Sequence, residues 1–156
     1  MRRFIAFLAV GWIAAGAGCG DDGSGGSAGE NSNMSISEDS SYNAHVLVGS
    51  VYTTDMDIKN GGKADIPKLQ IMFDGGDKFL DHNVIVKSAP CTVDKELPGL
   101  ACGDLAVRGE LKFRITYQPK DAGNFKYVYR IANDGLYLPE SDGRTYDYSW
   151  TQAVLK

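Results

Sequence analysis

The sequence predicts an all-β fold, a single antiparallel β-sandwich, and three observations carry that prediction. Several short runs alternate apolar and polar residues with a period of two, the pattern of strands with one buried and one wet face. The runs are separated by Asn-Gly, Asp-Gly and Pro-containing segments, which carry turn chemistry. No stretch keeps a helical period between capping residues.

Each element can be justified in order. Ala44–Val48 is a short apolar run. From Val51 to Lys59, Tyr52, Met56 and Ile58 share one parity while Thr53, Asp55 and Asp57 share the other. Ile66–Phe73 puts Leu69, Ile71 and Phe73 on one face, and Val84, Ile85 and Val86 form a further apolar group. Leu111, Phe113, Ile115 and Tyr117 alternate with Lys112, Arg114 and Thr116. Phe125, Tyr127, Tyr129 and Ile131 repeat the pattern, and Tyr146–Leu155 supplies a last strand. The two clearest runs are expected to be neighbouring antiparallel strands joined at residues 119–124, with Pro119 presetting φ and Gly123 supplying a positive φ. The turns are Asn60-Gly61-Gly62, Asp74-Gly75-Gly76, residues 119–123 and Asn133-Asp134-Gly135. About seven short strands fit into about 115 residues, enough for one core.

The segment Asp57-Ile58-Lys59-Asn60-Gly61-Gly62-Lys63-Ala64-Asp65-Ile66-Pro67 resembles a strand-turn-strand signature of bacterial Ig-like modules of the CARDB and ASH/Hydin kinds. The stretch Phe113–Phe125 resembles the same families, in which a strand ends in aromatic-x-Pro and resumes with an aromatic after a Gly turn. The resemblance implies a single antiparallel Ig-like β-sandwich of about seven strands. It also implies a spacer, adhesion or recognition role rather than catalysis.

The N-terminal region gives an address. Met1-Arg2-Arg3, the apolar stretch Phe4–Ala15 and the small residues that follow form the three-part pattern of a secretory signal. The apolar run is too short for a membrane span, which needs about 20 residues. Ala17-Gly18-Cys19 resembles the lipobox of bacterial lipoproteins. That resemblance implies a signal peptide over 1–18 and acylation (palmitate among the chains) of Cys19. Gly20 after the cysteine implies, by resemblance to the enteric sorting rule, the outer membrane. Residues 19–41 are rich in Gly, Ser, Asp and Asn and read as a flexible tether with a reach of about 25 Å. The domain itself is expected over 42–156.

Three cysteines are present. With Cys19 acylated, Cys91 and Cys102 remain as an even pair in an exported chain, so a disulfide is expected. It is expected to tie down one long, irregular loop from Ser88 to Gly109, and closing about 12 residues is worth about 3 kcal/mol on the chain-entropy model. A metal pair would need further His or Cys nearby, and His45 and His82 do not supply them.

Charge excludes one function class. The chain carries a formal charge of −4, deepened to −6 when Arg2 and Arg3 leave with the signal peptide. Without a basic patch, nucleic acid is a poor partner. The search for chemistry gives no catalytic residue, metal or cofactor, and the chain is not expected to be an enzyme. His82 in a polar loop, Asp74, Asp77 and Asp81 beside glycines, and the pairs Glu140 with Asp142 and Asp121 with Asp134 each read first as solvated groups. Asp74, Asp77 and Asp81 lack EF-hand spacing. Tyr146, Tyr148 and Trp150 share one strand parity. They are either the buried face of a last strand or a row of rings on which a sugar could stack. The reading is a membrane-anchored envelope module that contacts a protein or glycan, with carbohydrate binding as the alternative.

Overall fold

The computed structural model describes residues 34–94, 96–140, 144 and 147–156. They form an Ig-like β-sandwich of eleven strands and one short helix. The smaller sheet holds β1 (Ile36–Ser40), β3 (Tyr52–Asn60), β5 (Asn83–Lys87) and β8 (Glu110–Pro119), in the order β1-β3-β8-β5. The larger sheet runs β2-β11-β9-β4-β7-β6, with β10 pairing on β9. Its strands are β2 (His45–Leu47), β4 (Ile66–Gly76), β6 (Thr92–Val93), β7 (Gly99–Leu105), β9 (Gly123–Asn133), β10 (Leu136–Tyr137) and β11 (Tyr148–Leu155). The helix α1 (Phe79–His82) lies between β4 and β5. All pairings are antiparallel except β2 on β11, so β2 adds a parallel edge.

Alternation identifies the inward faces correctly. Met56 and Ile58 of β3, and Phe113, Ile115 and Tyr117 of β8, are buried against Leu69, Ile71, Phe73, Tyr127, Tyr129 and Ile131 of the larger sheet. The relation between β8 and β9 differs from expectation. They face each other from opposite sheets rather than pairing: β8 bonds to β3 and β5, while β9 bonds to β4 and β11. The connection after Pro119 is a crossover between layers, as Ig-like topology requires. Gly123 is not among the positive-φ residues. Its lack of a side chain serves space instead, because a Cβ there would lie 3.0 Å from the Phe125 ring. The expected turn at Asn133-Asp134-Gly135 is a two-residue hairpin between β9 and β10, with Asp134 and Gly135 at φ 50° and 81°.

Four further differences have local causes. Residues 36–40, expected within the tether, form β1 because Ile36 buries itself and the backbone pairs along β3 from Ile36↔Asn60 to Ser40↔Met56. Val84 and Val86 are exposed, with Val84 registered beside Gln118 on the outer face of the smaller sheet while Ile85 is registered with the buried Tyr117. The last strand begins at Tyr148; Tyr146 lies outside the described residues.

The stretch from Ser88 to Gly109 is not one irregular loop but contains the β6–β7 hairpin. Cys91 and Cys102 form a disulfide of 2.11 Å with Cα atoms 4.1 Å apart, next to the paired residues Thr92 and Ala101. The bond therefore staples two strands of a hairpin. At its tip Asp94 Oδ1 accepts from the backbone N–H of Glu96 (2.8 Å) and Leu97 (3.1 Å). These amide donors hold the Asp94 carboxyl below the usual carboxylate range.

The Asn60 turn is a structural node. The side chain is 1% exposed, and its Nδ2 donates to the carbonyls of Ala64 (2.9 Å), Leu105 (3.2 Å) and Ala106 (3.2 Å). Its Oδ1 accepts from Gly62 N at 3.0 Å, the Asx-turn geometry that favours Asn before Gly. One amide thus ties the β3–β4 turn to the end of β7. Asn60→Ala is expected to cost about 2–3 kcal/mol, because buried partners lose their bonds without gaining water. Urea unfolding measures it, and a loss under about 0.5 kcal/mol, the range of ordinary surface changes, would contradict this role.

Candidate functional site

The structure scatters most of the sequence candidates. Cys19 lies outside the described residues. His82 Nδ1 sits 3.2 Å from Asp121 Oδ2 and its ring stacks on Phe125 at 4.2 Å. Asp134 pairs instead with Lys68 at 3.0 Å, at the other end of β9 from Asp121. Asp74 holds Arg130, and Asp77 Oδ2 accepts from Lys126 N at 2.6 Å. No group of three or more metal-ligating side chains occurs among the described residues. Asp142, the expected partner of Glu140, is outside them.

The aromatic row resolves toward the core for the two members that are described. Trp150 stacks on Tyr42 with centroids 4.8 Å apart and planes at 5°. Tyr148 stacks on Tyr129 at 5.3 Å. Both pack against the buried cluster. Residues the sequence reading missed complete this interior. Phe79, carried in by α1, touches Phe73, Tyr117, Tyr127 and Trp150 at 5.0–5.7 Å between ring centroids. Asn83 Nδ2 donates to Tyr127 OH at 3.1 Å, and Gln152 Nε2 donates to Tyr117 OH at 2.7 Å. Burial pushes the Tyr127 hydroxyl up to about 12 and those of Tyr129 and Tyr148 higher. These hydroxyls stay protonated at physiological pH and do not serve as bases.

A polar cluster lies between β1, β9 and β11. Tyr42 OH and Tyr129 OH are 3.0 Å apart, and Ser40 Oγ bonds to both hydroxyls. Glu38 points inward beside them, and its Oε1 is buried without a hydrogen-bond partner among the described residues. Desolvation by burial raises its pKa above the ordinary carboxylate value. The Tyr148 hydroxyl is likewise buried without such a partner.

The outer faces carry paired charge. On the smaller sheet Asp55, Asp57 and Lys59 of β3 oppose Arg114, Lys112 and Glu110 of β8. Arg114 grips Asp55 with two bonds of 2.6 and 3.0 Å, which holds the Asp55 carboxyl below its ordinary value. On the larger sheet Arg130 bonds Asp147 and Asp74 and lies 5.1 Å over the Tyr137 ring. Opposite charges in register stabilise the sheet.

Four exposed aliphatic residues lie at one pole, while Val107 and Leu136 are exposed toward the other. Leu47 and Leu155 are registered neighbours, 46% and 54% exposed. Val51 is 58% exposed and begins the chain into β3, whose first residue, Tyr52, accepts a bond from Leu47 N at 2.7 Å. Val84 pairs with Gln118, whose amide donates to Gly49 O in the same turn. The chain N-terminal to β1 enters at the opposite pole, where Ile36 pairs with Asn60 and Gly61 N donates to Ser35 O at 3.0 Å. Each aliphatic residue is ordinary alone in sequence, so only the fold reveals the group.

No family model and no curated protein matches the chain. Among solved structures, the chain resembles the CARDB domain of a Pyrococcus furiosus protein at a TM-score of 0.50 and 11% identity, over 79% of this chain and 90% of that one. A cohesin module from Clostridium perfringens aligns at 0.46 and 14% identity over 78% and 98%. A human ASH/PapD-like domain aligns at 0.40 and 12% over 93% and 98%. At these identities the likeness is one of fold.

Proposed function

We propose that this chain is a cell-envelope lipoprotein, anchored through Cys19, that presents a non-catalytic Ig-like module to another envelope component. The observation that carries the reading is polarity. The tethering segment enters at the Asn60 pole, and the exposed Leu47, Val51, Val84 and Leu155 lie at the other. A group of exposed apolar side chains at the end away from the entry point suits contact with a second protein, since exposed apolar groups mark interaction surfaces. Protein is favoured over glycan because the Tyr148 and Trp150 rings pack on Tyr129 and Tyr42. The Gly20 that follows Cys19 favours the outer membrane.

Anchoring is tested by fractionation and intact mass. The mature chain is expected in the membrane fraction with an acylated N-terminal Cys19, and Cys19→Ala is expected to release the protein or stall its precursor. An unmodified N-terminus at another residue would overturn the anchor.

A further inference from the structure

We propose that β1 is a releasable strap: its own carboxylates oppose its docking, its pairing with β3 tightens when Glu38 carries a proton, and its release opens the β3 edge. The proposal rests on the geometry of β1 and stands whether or not Cys19 is acylated.

The strap is held unevenly. Ile36 is gripped on both sides, by Asn60 of β3 and by the Pro139–Glu140 segment, where Ile36 N donates to Pro139 O at 2.9 Å. Beyond Ile36 the strand pairs on β3 alone, an edge position. Its inward side chains are Ile36, Glu38 and Ser40, and only Ile36 is an apolar anchor. Asp and, less strongly, Glu are poor strand formers, so the segment has little intrinsic drive to extend.

Two carboxylates then work against docking, one on each face. Inward, Glu38 is registered on the fully buried Ile58, with Oε1 unpartnered. The Ser40 and Tyr129 hydroxyls hydrogen-bond the carboxyl and offset part of the desolvation without cancelling it, and the Tyr42 and Tyr148 hydroxyls lie beside it. The nearby carboxylates of Asp39 and Glu140, both of like sign, add to the upward shift. Outward, Asp39 lies directly opposite Asp57. On the other side of β3 the same row is complementary, since Asp57 faces Lys112. Like charges in register destabilise a strand pair, so β3 binds β8 with matched charge and β1 with mismatched charge.

The sign follows from burial. Desolvation raises the folded pKa of Glu38 above the unfolded one. Its contribution to docking is therefore fully present below the ordinary carboxylate value and is lost as pH rises through the raised folded value. Acid tightens the strap and neutral pH loosens it. Release would return about six residues to the N-terminal segment, up to about 20 Å of further reach.

Hydrogen exchange by mass spectrometry on the full chain, with the disulfide intact, tests this. Protection factors, corrected for intrinsic exchange, would be compared at about pH 4 and about pH 7.5, on either side of the carboxylate range raised by burial. Peptides over β1 are expected to open independently of β9 and to lose protection as pH rises. Glu38→Gln keeps the shape and removes the charge. It is expected to raise β1 protection about tenfold at neutral pH and to flatten its pH dependence, as relief of an unpaired buried oxygen predicts. Asp39→Asn is expected to raise protection less and to leave the pH dependence in place. Unchanged β9 protection certifies that each variant is folded, and the wild-type pH series stands without them. Exchange of β1 in step with β9, or no gain in Glu38→Gln, would overturn the proposal.

Discussion

Phe79→Ala is expected to cost about 3–5 kcal/mol, near the top of the range for single substitutions. Phe79 is 2% exposed although it sits on a four-residue helix between two strands. Its ring bridges the layers, touching Tyr117 of the smaller sheet and Phe73, Tyr127 and Trp150 of the larger. Those partners stand on strands fixed by ladder bonds, so they cannot collapse into the space the ring leaves. The lost transfer energy and the cavity then add. The helix is pinned as well, because Asn83 Nδ2 donates to Phe79 O at 2.9 Å. Urea unfolding of Phe79→Ala against Phe79→Leu separates shape from bulk, with Leu expected to recover a good part of the loss. A Phe79→Ala loss under about 1 kcal/mol, the scale of an average substitution, would mean the ring does not join the two sheets.

Phe79 also marks where the sequence stops being informative. A period of two states which parity of a strand is buried, and for β3, β8 and β9 it does so correctly. It does not state in which sheet a strand lies, which is why β8 and β9 read as a hairpin rather than as facing layers. Four helical residues after Asp74-Gly75-Gly76-Asp77 are too short to show any period, so the ring they carry into the core goes unseen. β7 is hidden for another reason. Between Leu100 and Leu105 it carries Ala, Cys, Gly and Asp, and its pairing with β4 rather than its composition makes it a strand. β1 is polar throughout except at Ile36, and composition alone assigns it to the tether. The group of exposed aliphatic residues Leu47, Val51, Val84 and Leu155 is assembled from residues far apart in the chain, which only the register of β2 on β11 and of β5 on β8 brings to one end. By contrast the disulfide was legible, because the resemblance that set Cys19 aside for acylation left Cys91 and Cys102 as the one remaining pair.

Phe113→Ala is expected to cost about 3–5 kcal/mol, while Arg114→Ala is expected to leave the unfolding midpoint almost unmoved. The two residues are adjacent on β8 and point to opposite faces. Phe113 is 7% exposed and registered against Met56 in the core cluster. Arg114 is registered against Asp55, and their two bonds lie on the open face with side chains 62% and 56% exposed. An exposed ion pair, however well aligned, is screened by water and by salt. Removing Phe113 empties a core position held between two sheets. Removing Arg114 returns Asp55 to solvent. Its carboxyl pKa is lowered by the Arg114 hydrogen bonds, so the pair helps only above the ordinary carboxylate pKa and that help fades as pH falls. Whatever small effect Arg114→Ala shows should therefore shrink in about 1 M salt, and the Phe113→Ala loss should not. Losses of similar size at the two positions would mean that β8 has slipped by one residue against β3. Such a slip exchanges the faces of every residue on the strand, and the division into an apolar interior and a charged outer ladder would go with it.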